Sequence, residues 1–386
     1  MKRVPVVAAV AAALVLAACG GSEEHTASMS RPFITQDPFG ASPDGEPIDL
    51  VTLRNANGVE VRIMSWGATV VSLRTPDRDG NADDIVLGFD SAEPYFTRSP
   101  YFGSTIGRYA NRIGGARFSI GAEAYALTAN DGANHLHGGT RGWDKVVWRA
   151  EPFHNTDGVG VVYRHTSPDG DQGYPGTVEA AVTYWLRPDN SLAIDYHATT
   201  DKPTVVNMSH HGYFNLGGSS ADDILGHELT IPADRYTPVD AGLIPTGELA
   251  PVEGTPFDFR TATAIGARIA ADHPQLAAGR GYDHNWVIGR VSPEPALVAR
   301  VVEPTTGRVL EVESTEPGLQ FYSGNFLDGT ITGKGGRAYG HRSGFCLEPQ
   351  HYPDSPNQPS FPSPELRPGE EYRSRTVLRF GVATKS

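Results

Sequence analysis

The chain has 386 residues, and its 32 Lys and Arg stand against 45 Asp and Glu for a formal net charge of −13. No basic run stands out, so nucleic acid is excluded as the expected partner. The 44 Gly and 30 Pro separate apolar, alternating segments, which predicts an all-β protein rich in turns and not a disordered one.

The first elements in the chain are not part of a fold. Lys2 and Arg3 are followed by an apolar run from Val4 to Leu16, broken only by Pro5. This is the pattern of a secretory signal, and it is short for a membrane span. It ends in Leu16-Ala17-Ala18-Cys19, before Gly20, and this stretch resembles the lipobox of bacterial lipoproteins. The resemblance implies that Cys19 is lipidated and becomes the new first residue. The protein is then exported and attached to the cell envelope only through that lipid, since a diacylated cysteine supplies two anchoring chains. An ordinary signal with an incidental cysteine is the alternative. Residues 20–45, rich in Gly, Ser, Pro and charge, are predicted to be a flexible tether, and one domain is expected over 46–384.

From Ile48 onward short alternating runs take over. Val59–Ile63 and Thr177–Trp185 are strands by their period of two. Arg187-Pro188-Asp189-Asn190-Ser191 then turns the chain into Leu192–Tyr196 as a hairpin. One short helix is expected within Thr261–Leu276. Close-set strands with Gly, Pro, Asn and Asp turns predict a large antiparallel sandwich.

Polar clusters interrupt this background. Ile106–Gly114 sets Arg108 and Arg112 beside Asn111; surface ion pairs are the plain reading. In Asn134–Gly139, His135 and His137 share a face if the segment is a strand, but the chain has no paired cysteines and no HExxH helix to complete a metal site. In Asn207–Leu216 the adjacent His210 and His211 point to opposite faces, so only one enters a given pocket. Gly281–Trp286 places Asp283 beside aromatics, and Pro317–Tyr322 carries Gln320. Gly344–Asp354 runs an apolar stretch into Glu348 and then Pro349, as though a strand ends at a carboxylate. Cys346 lies inside that stretch and is expected to be an inert buried thiol; with Cys19 lipidated it has no disulfide partner. Arg, His, Asp, Gln and Glu interleaved with aromatics suit a sugar, whose hydroxyls need donors and acceptors, and a carboxylate with a histidine supplies a base and an acid.

The segments GRYANRIGGARFSI, NHLHGGTRGWDKVVW, NMSHHGYFNLGG, GYDHNW, EPGLQFYSGNFLDGT and GFCLEPQHYPDSPNQP together resemble the aldose 1-epimerase (galactose mutarotase) family, over most of the chain after about residue 46. The resemblance implies a galactose-mutarotase-like β-supersandwich that interconverts the α and β anomers of free aldoses without cofactor or metal. By motif, Glu348 matches the catalytic base and His211 the catalytic acid. Arg112, His137, Asp283 and Gln320 match sugar-binding positions, with Asn111 a further candidate. His135 and His210 stay outside catalysis. Rival expectations are a sugar-binding lipoprotein without turnover and a glycoside hydrolase using Asp283 and Glu348 as its two carboxylates. A monomer or weak dimer is expected.

Overall fold

The computed structural model of the chain describes residues 1–2, 31–289 and 292–384. The expected signal, Cys19 and the first part of the expected tether lie outside those residues. The described chain is built almost wholly from antiparallel strands. A five-stranded sheet runs in the order Phe33–Ala41, Pro47–Arg54, Glu60–Met64, Thr69–Pro76 and Ala82–Asp84. A nine-stranded sheet contains the expected hairpin, Val178–Leu186 paired with Ser191–Thr200, and the long strand Tyr372–Val382. A six-stranded sheet runs Tyr213–Phe214, Phe345–Gln350, Gly318–Tyr322, Asp283–Val287, Arg235–Thr237 and Ala250–Pro251. One large core joins the three: Val51 and Val61, Tyr163 and Val182, and Trp286, Phe321 and Leu347 all belong to it.

The six-stranded sheet has two faces of opposite chemistry because side chains alternate along each strand. Trp286, Phe321, Phe345 and Leu347 point into the main core. Asp283, Tyr322 and Cys346 lie in one register row across the strands, and Asn285, Gln320 and Glu348 in the next. The apolar run ending at Glu348 is therefore half core and half site.

Several expectations need correction. Residues 31–45 are not all tether. Phe33–Ala41 forms nine residues of edge strand paired with Pro47–Arg54, with a register shift between Pro38 and Gly40. Its side chains are mostly exposed, so the segment is polar enough to read as linker, while the order comes from backbone hydrogen bonds. Pro349 does not end its strand, since it pairs with Leu319 inside Phe345–Gln350. Proline is tolerated there because the neighbouring Tyr213–Phe214 strand pairs only with Cys346 and Phe345, so Pro349 faces no ladder partner on that side. Its carbonyl instead accepts from Ser209 Oγ at 2.9 Å. Finally, the helix expected within 261–276 is a strand at Thr263–Ala264 and a 3₁₀ turn at Ile265–Ala267. A helix begins only at Pro274–Gly279, where His273 caps it by accepting from the Gln275 N–H. That start agrees with proline at the first helical position. A second short helix, Glu93–Thr97, was not expected.

Arg108 fixes the loop that feeds the site. It is 1% exposed, not the surface ion pair its motif suggested. Its Nη1 donates to the carbonyls of Pro175 and Gly176 at 2.8 and 2.9 Å. Its Nη2 donates to Ser167 Oγ at 2.6 Å and to the carbonyls of Ser167 and Pro168, both at 3.2 Å. Burial lowers its pKa to about 10, which leaves it charged near neutrality. Beside it, Gly107 admits the Trp143 ring; a Cβ there would fall 2.0 Å from a ring carbon. Arg108→Met leaves several buried carbonyls without a donor, and each such loss costs about 1–3 kcal/mol. The expected loss is about 4 kcal/mol in chemical denaturation; a loss under about 1 kcal/mol would remove Arg108 as the anchor of this loop.

Candidate active site

A cavity of about 160 Å³ opens on the polar face of the six-stranded sheet. Asn111, Arg112, His137, His211, Asp283 and Glu348 line it, with Tyr101, Tyr213 and Tyr322, and the half-exposed Phe326 stands at its rim. Six of the expected site residues, distant in sequence, therefore meet in one place.

Each arrives for a local reason. His211 closes the Ser209–His211 strand beside Ser104–Ile106. The alternation sends its neighbour His210 away, toward the Tyr184 ring. Asn111 and His137 both adopt left-handed backbone, φ 66° and 50°, a conformation for which Asn and His are among the less unfavourable residues. They lock together: the Asn111 N–H donates to His137 Nδ1 at 3.1 Å, and the His137 N–H donates to the Asn111 carbonyl at 3.1 Å. The left-handed turn also separates His137 from His135. The latter is buried elsewhere, bonded to the Thr128 carbonyl and to the Tyr174 hydroxyl, both at 2.7 Å, so the two do not form a chelating pair. Arg112 donates through Nε to Asp131 at 2.8 Å and lies 4.0 Å from Asp283. Gln320 does not line the cavity. It lies behind Asp283 and donates to its Oδ1 at 2.7 Å.

The central pair is His211 and Glu348, with Nε2 and Oε2 3.7 Å apart. Glu348 is 2% exposed and His211 5%. Burial first, and then the nearby Asp283 charge, push the Glu348 carboxyl well above its ordinary range, against the pull of Arg112. Burial holds His211 down to about 3, opposed by its own backbone carbonyl. Both shifts favour the neutral forms. The two groups lie close enough that their titration belongs to the pair. His211 is further held by aromatic contacts: Tyr101 stacks at 5.6 Å and Tyr213 at 5.1 Å, and His137 meets it edge-on at 5.0 Å. Its Nδ1 lies 3.6 Å from the Cys346 sulfur. Cys346 itself is a buried free thiol.

His137, His211 and Glu348 each bring one possible ligand atom within 4.8 Å of the others. His137 is nonetheless poorly set for a metal. Its Nδ1 accepts from the Asn111 N–H, so the neutral ring carries its proton on Nε2 and presents a donor, not a lone pair. Such a donor suits a hydroxyl oxygen.

The motifs did not reveal Tyr101, Asp131 or Phe326. Tyr101 and Asp131 sit in loops whose partners, His211 and Arg112, come from other segments, so no spacing announces them. Tyr213 had a usable signal, since it lies two residues after His211.

Comparison with known proteins gives a consistent result. Residues 49–379 match the family model described as aldose 1-epimerase. The galactose mutarotase of Rattus norvegicus is 46% identical over 351 residues, which cover 91% of this chain and 99% of the relative. The aldose 1-epimerase of Escherichia coli strain K12 is 44% identical over 341 residues, covering 88% and 97%. Among solved structures, a galactose 1-epimerase from Lactobacillus acidophilus aligns with a TM-score of 0.80 at 28% identity, over 92% of this chain and 100% of that one.

A raised carboxyl pKa means that folding favours the protonated acid. Above the ordinary value of 4.5 the unfolded chain ionises while the folded chain resists. The Glu348 contribution therefore becomes unfavourable as pH rises from there toward the folded value. Glu348→Gln removes this cost. In thermal melts the variant is expected to match the parent in mild acid and to exceed it increasingly toward neutral pH. A variant that is less stable than the parent at neutral pH would contradict the burial argument.

Proposed function

The chain belongs to the aldose 1-epimerase family, and on that premise we propose that it interconverts the α and β anomers of free aldoses such as D-glucose and D-galactose, with Glu348 as base and His211 as acid. The observation that carries the assignment of roles is the buried carboxylate–imidazole pair 3.7 Å apart, set in a cavity whose other polar groups are donors and acceptors fit for hydroxyls.

The chemistry needs one proton moved in and one moved out. In the free protein burial favours a protonated Glu348 and a neutral His211. A hemiacetal hydroxyl that enters and donates to Glu348 favours its carboxylate, and the pair's proton then resides on His211 Nε2. Glu348 takes the proton of the anomeric hydroxyl while His211 Nε2–H donates to the ring oxygen. The bond between the anomeric carbon and the ring oxygen breaks, and an aldehyde forms. Rotation about the bond between the first two carbons presents the other face. On closure His211 takes the proton back from the chain hydroxyl as its oxygen attacks, and Glu348 returns a proton to the new anomeric oxygen. The Nε2–H of His137, the Arg112 guanidinium and the Asp283 carboxylate orient the ring meanwhile, and Gln320 holds Asp283 from behind.

A hydrolytic reading has less support. Asp283 is engaged by Gln320 at 2.7 Å and faces Arg112 at 4.0 Å, an arrangement for holding a hydroxyl more than for attacking carbon. The leader ending at Cys19 supports export and attachment to the envelope by lipid. Loss of membrane association in Cys19→Ala, followed by cell fractionation, is the result expected; equal association in both would remove the anchor.

Polarimetry on freshly dissolved α-D-glucose or α-D-galactose tests the main reading. The protein is expected to speed mutarotation, and Glu348→Gln and His211→Gln each to lower kcat by about 10²–10⁴-fold. Asp283→Asn is expected to raise KM roughly tenfold through lost charge-assisted hydrogen bonding. Sugar binding without acceleration would establish a binding protein, and release of reducing ends from an oligosaccharide a hydrolase.

A further inference from the structure

His211 has two ring nitrogens, and the proposed proton transfers use only one. Nε2 faces Glu348 Oε2 at 3.7 Å, and Nδ1 faces Cys346 Sγ at 3.6 Å. A neutral imidazole carries its proton on one nitrogen, and the partner of the other decides which. We infer that Cys346 is a positioning residue: its sulfur accepts a hydrogen bond from His211 Nδ1–H and holds the ring in the tautomer whose Nε2 exchanges the proton with Glu348 and the sugar. The inference rests on the proposed role of His211 as proton carrier.

Four features support it. Cys346 and Glu348 are two apart on the Phe345–Gln350 strand, so they share a face, about 6.8 Å apart along it. One strand thus addresses both nitrogens of one ring. Second, the stacked Tyr101 and Tyr213 rings, inclined at 26° and 18° to the imidazole, confine it to the plane in which both contacts are made. Third, burial favours the neutral form of both Glu348 and His211, so Nε2 faces an uncharged carboxyl across 3.7 Å, and Nδ1 is the ring nitrogen with a partner within hydrogen-bonding reach. Fourth, burial pushes the Cys346 thiol well above its ordinary range, so the sulfur stays a neutral acceptor. It holds the Nδ1–H proton without taking it, where a thiolate would compete for the proton that catalysis needs.

The test is nitrogen NMR of the full chain labelled with ¹⁵N-histidine, the His211 signals being identified by their loss in His211→Gln. The expected spectrum shows His211 with a protonated Nδ1 and an unprotonated Nε2. In Cys346→Ala the two tautomers are expected to mix, with kcat lowered about fivefold, the scale of one weak hydrogen bond, and KM unchanged. Cys346→Ser, whose hydroxyl also accepts, is expected to restore most of kcat. A wild-type His211 protonated at Nε2, or Cys346→Ala with the parent's kcat, overturns the inference. If Cys346→Ala does not fold, the wild-type spectrum decides alone. Full activity in both Glu348→Gln and His211→Gln would instead remove the proposed acid–base roles, a result separate from the tautomer seen by NMR.

Discussion

A carboxyl group held 2% exposed, with an imidazole 3.7 Å away, is the constraint around which this fold is arranged. An isolated carboxylate in such a place is costly, and the ordinary responses are to neutralise it or to pair it with a cation. This protein does neither completely. Arg112 reduces the cost from a distance, while its own Nε is committed to Asp131 and Asp283 adds a charge of the same sign. Burial and the Asp283 charge together leave the carboxyl biased toward its protonated form.

Holding Glu348 in this condition takes both faces of one sheet. On one side Phe345, Leu347, Phe321 and Trp286 knit the strands into the main core. On the other the same strands present acids, amides and a thiol. The sheet gives rigidity to the proton pair, and loops give the walls. Those loops are pinned in turn: Arg108 gathers the carbonyls of Ser167, Pro168, Pro175 and Gly176 behind the Asn111–Arg112 turn, and Asn111 and His137 hold each other in left-handed backbone.

Much of this was legible in the sequence. A strand period of two located the Val178–Leu186 hairpin, and it separated His211 from His210. What escaped depended on partners far along the chain. Phe33–Ala41 is ordered by its pairing, not by its own apolar pattern. Arg108 looked like a surface charge because its acceptors are backbone carbonyls, which no side-chain motif displays. Pro349 was read as a stop, because the sequence does not reveal that the adjoining strand falls short of it. The bond from Gln320 to Asp283 was not legible, because it joins two motifs 37 residues apart.

The edge position of Phe33–Ala41 has a mechanical consequence. Whatever precedes residue 33 transmits its pull first to this strand, which is zipped to Pro47–Arg54 alone in the ladder. Most of its side chains face water, and only Ile34 and Phe39 rest against the cores. Losing this strand breaks one ladder, while the three strands that carry Glu348, Gln320 and Asp283 pair with one another in a separate sheet. A pull on the residues before it therefore loads the edge of the five-stranded sheet, whereas Glu348 lies in the six-stranded sheet and His211 in the strand paired with Ser104–Ile106.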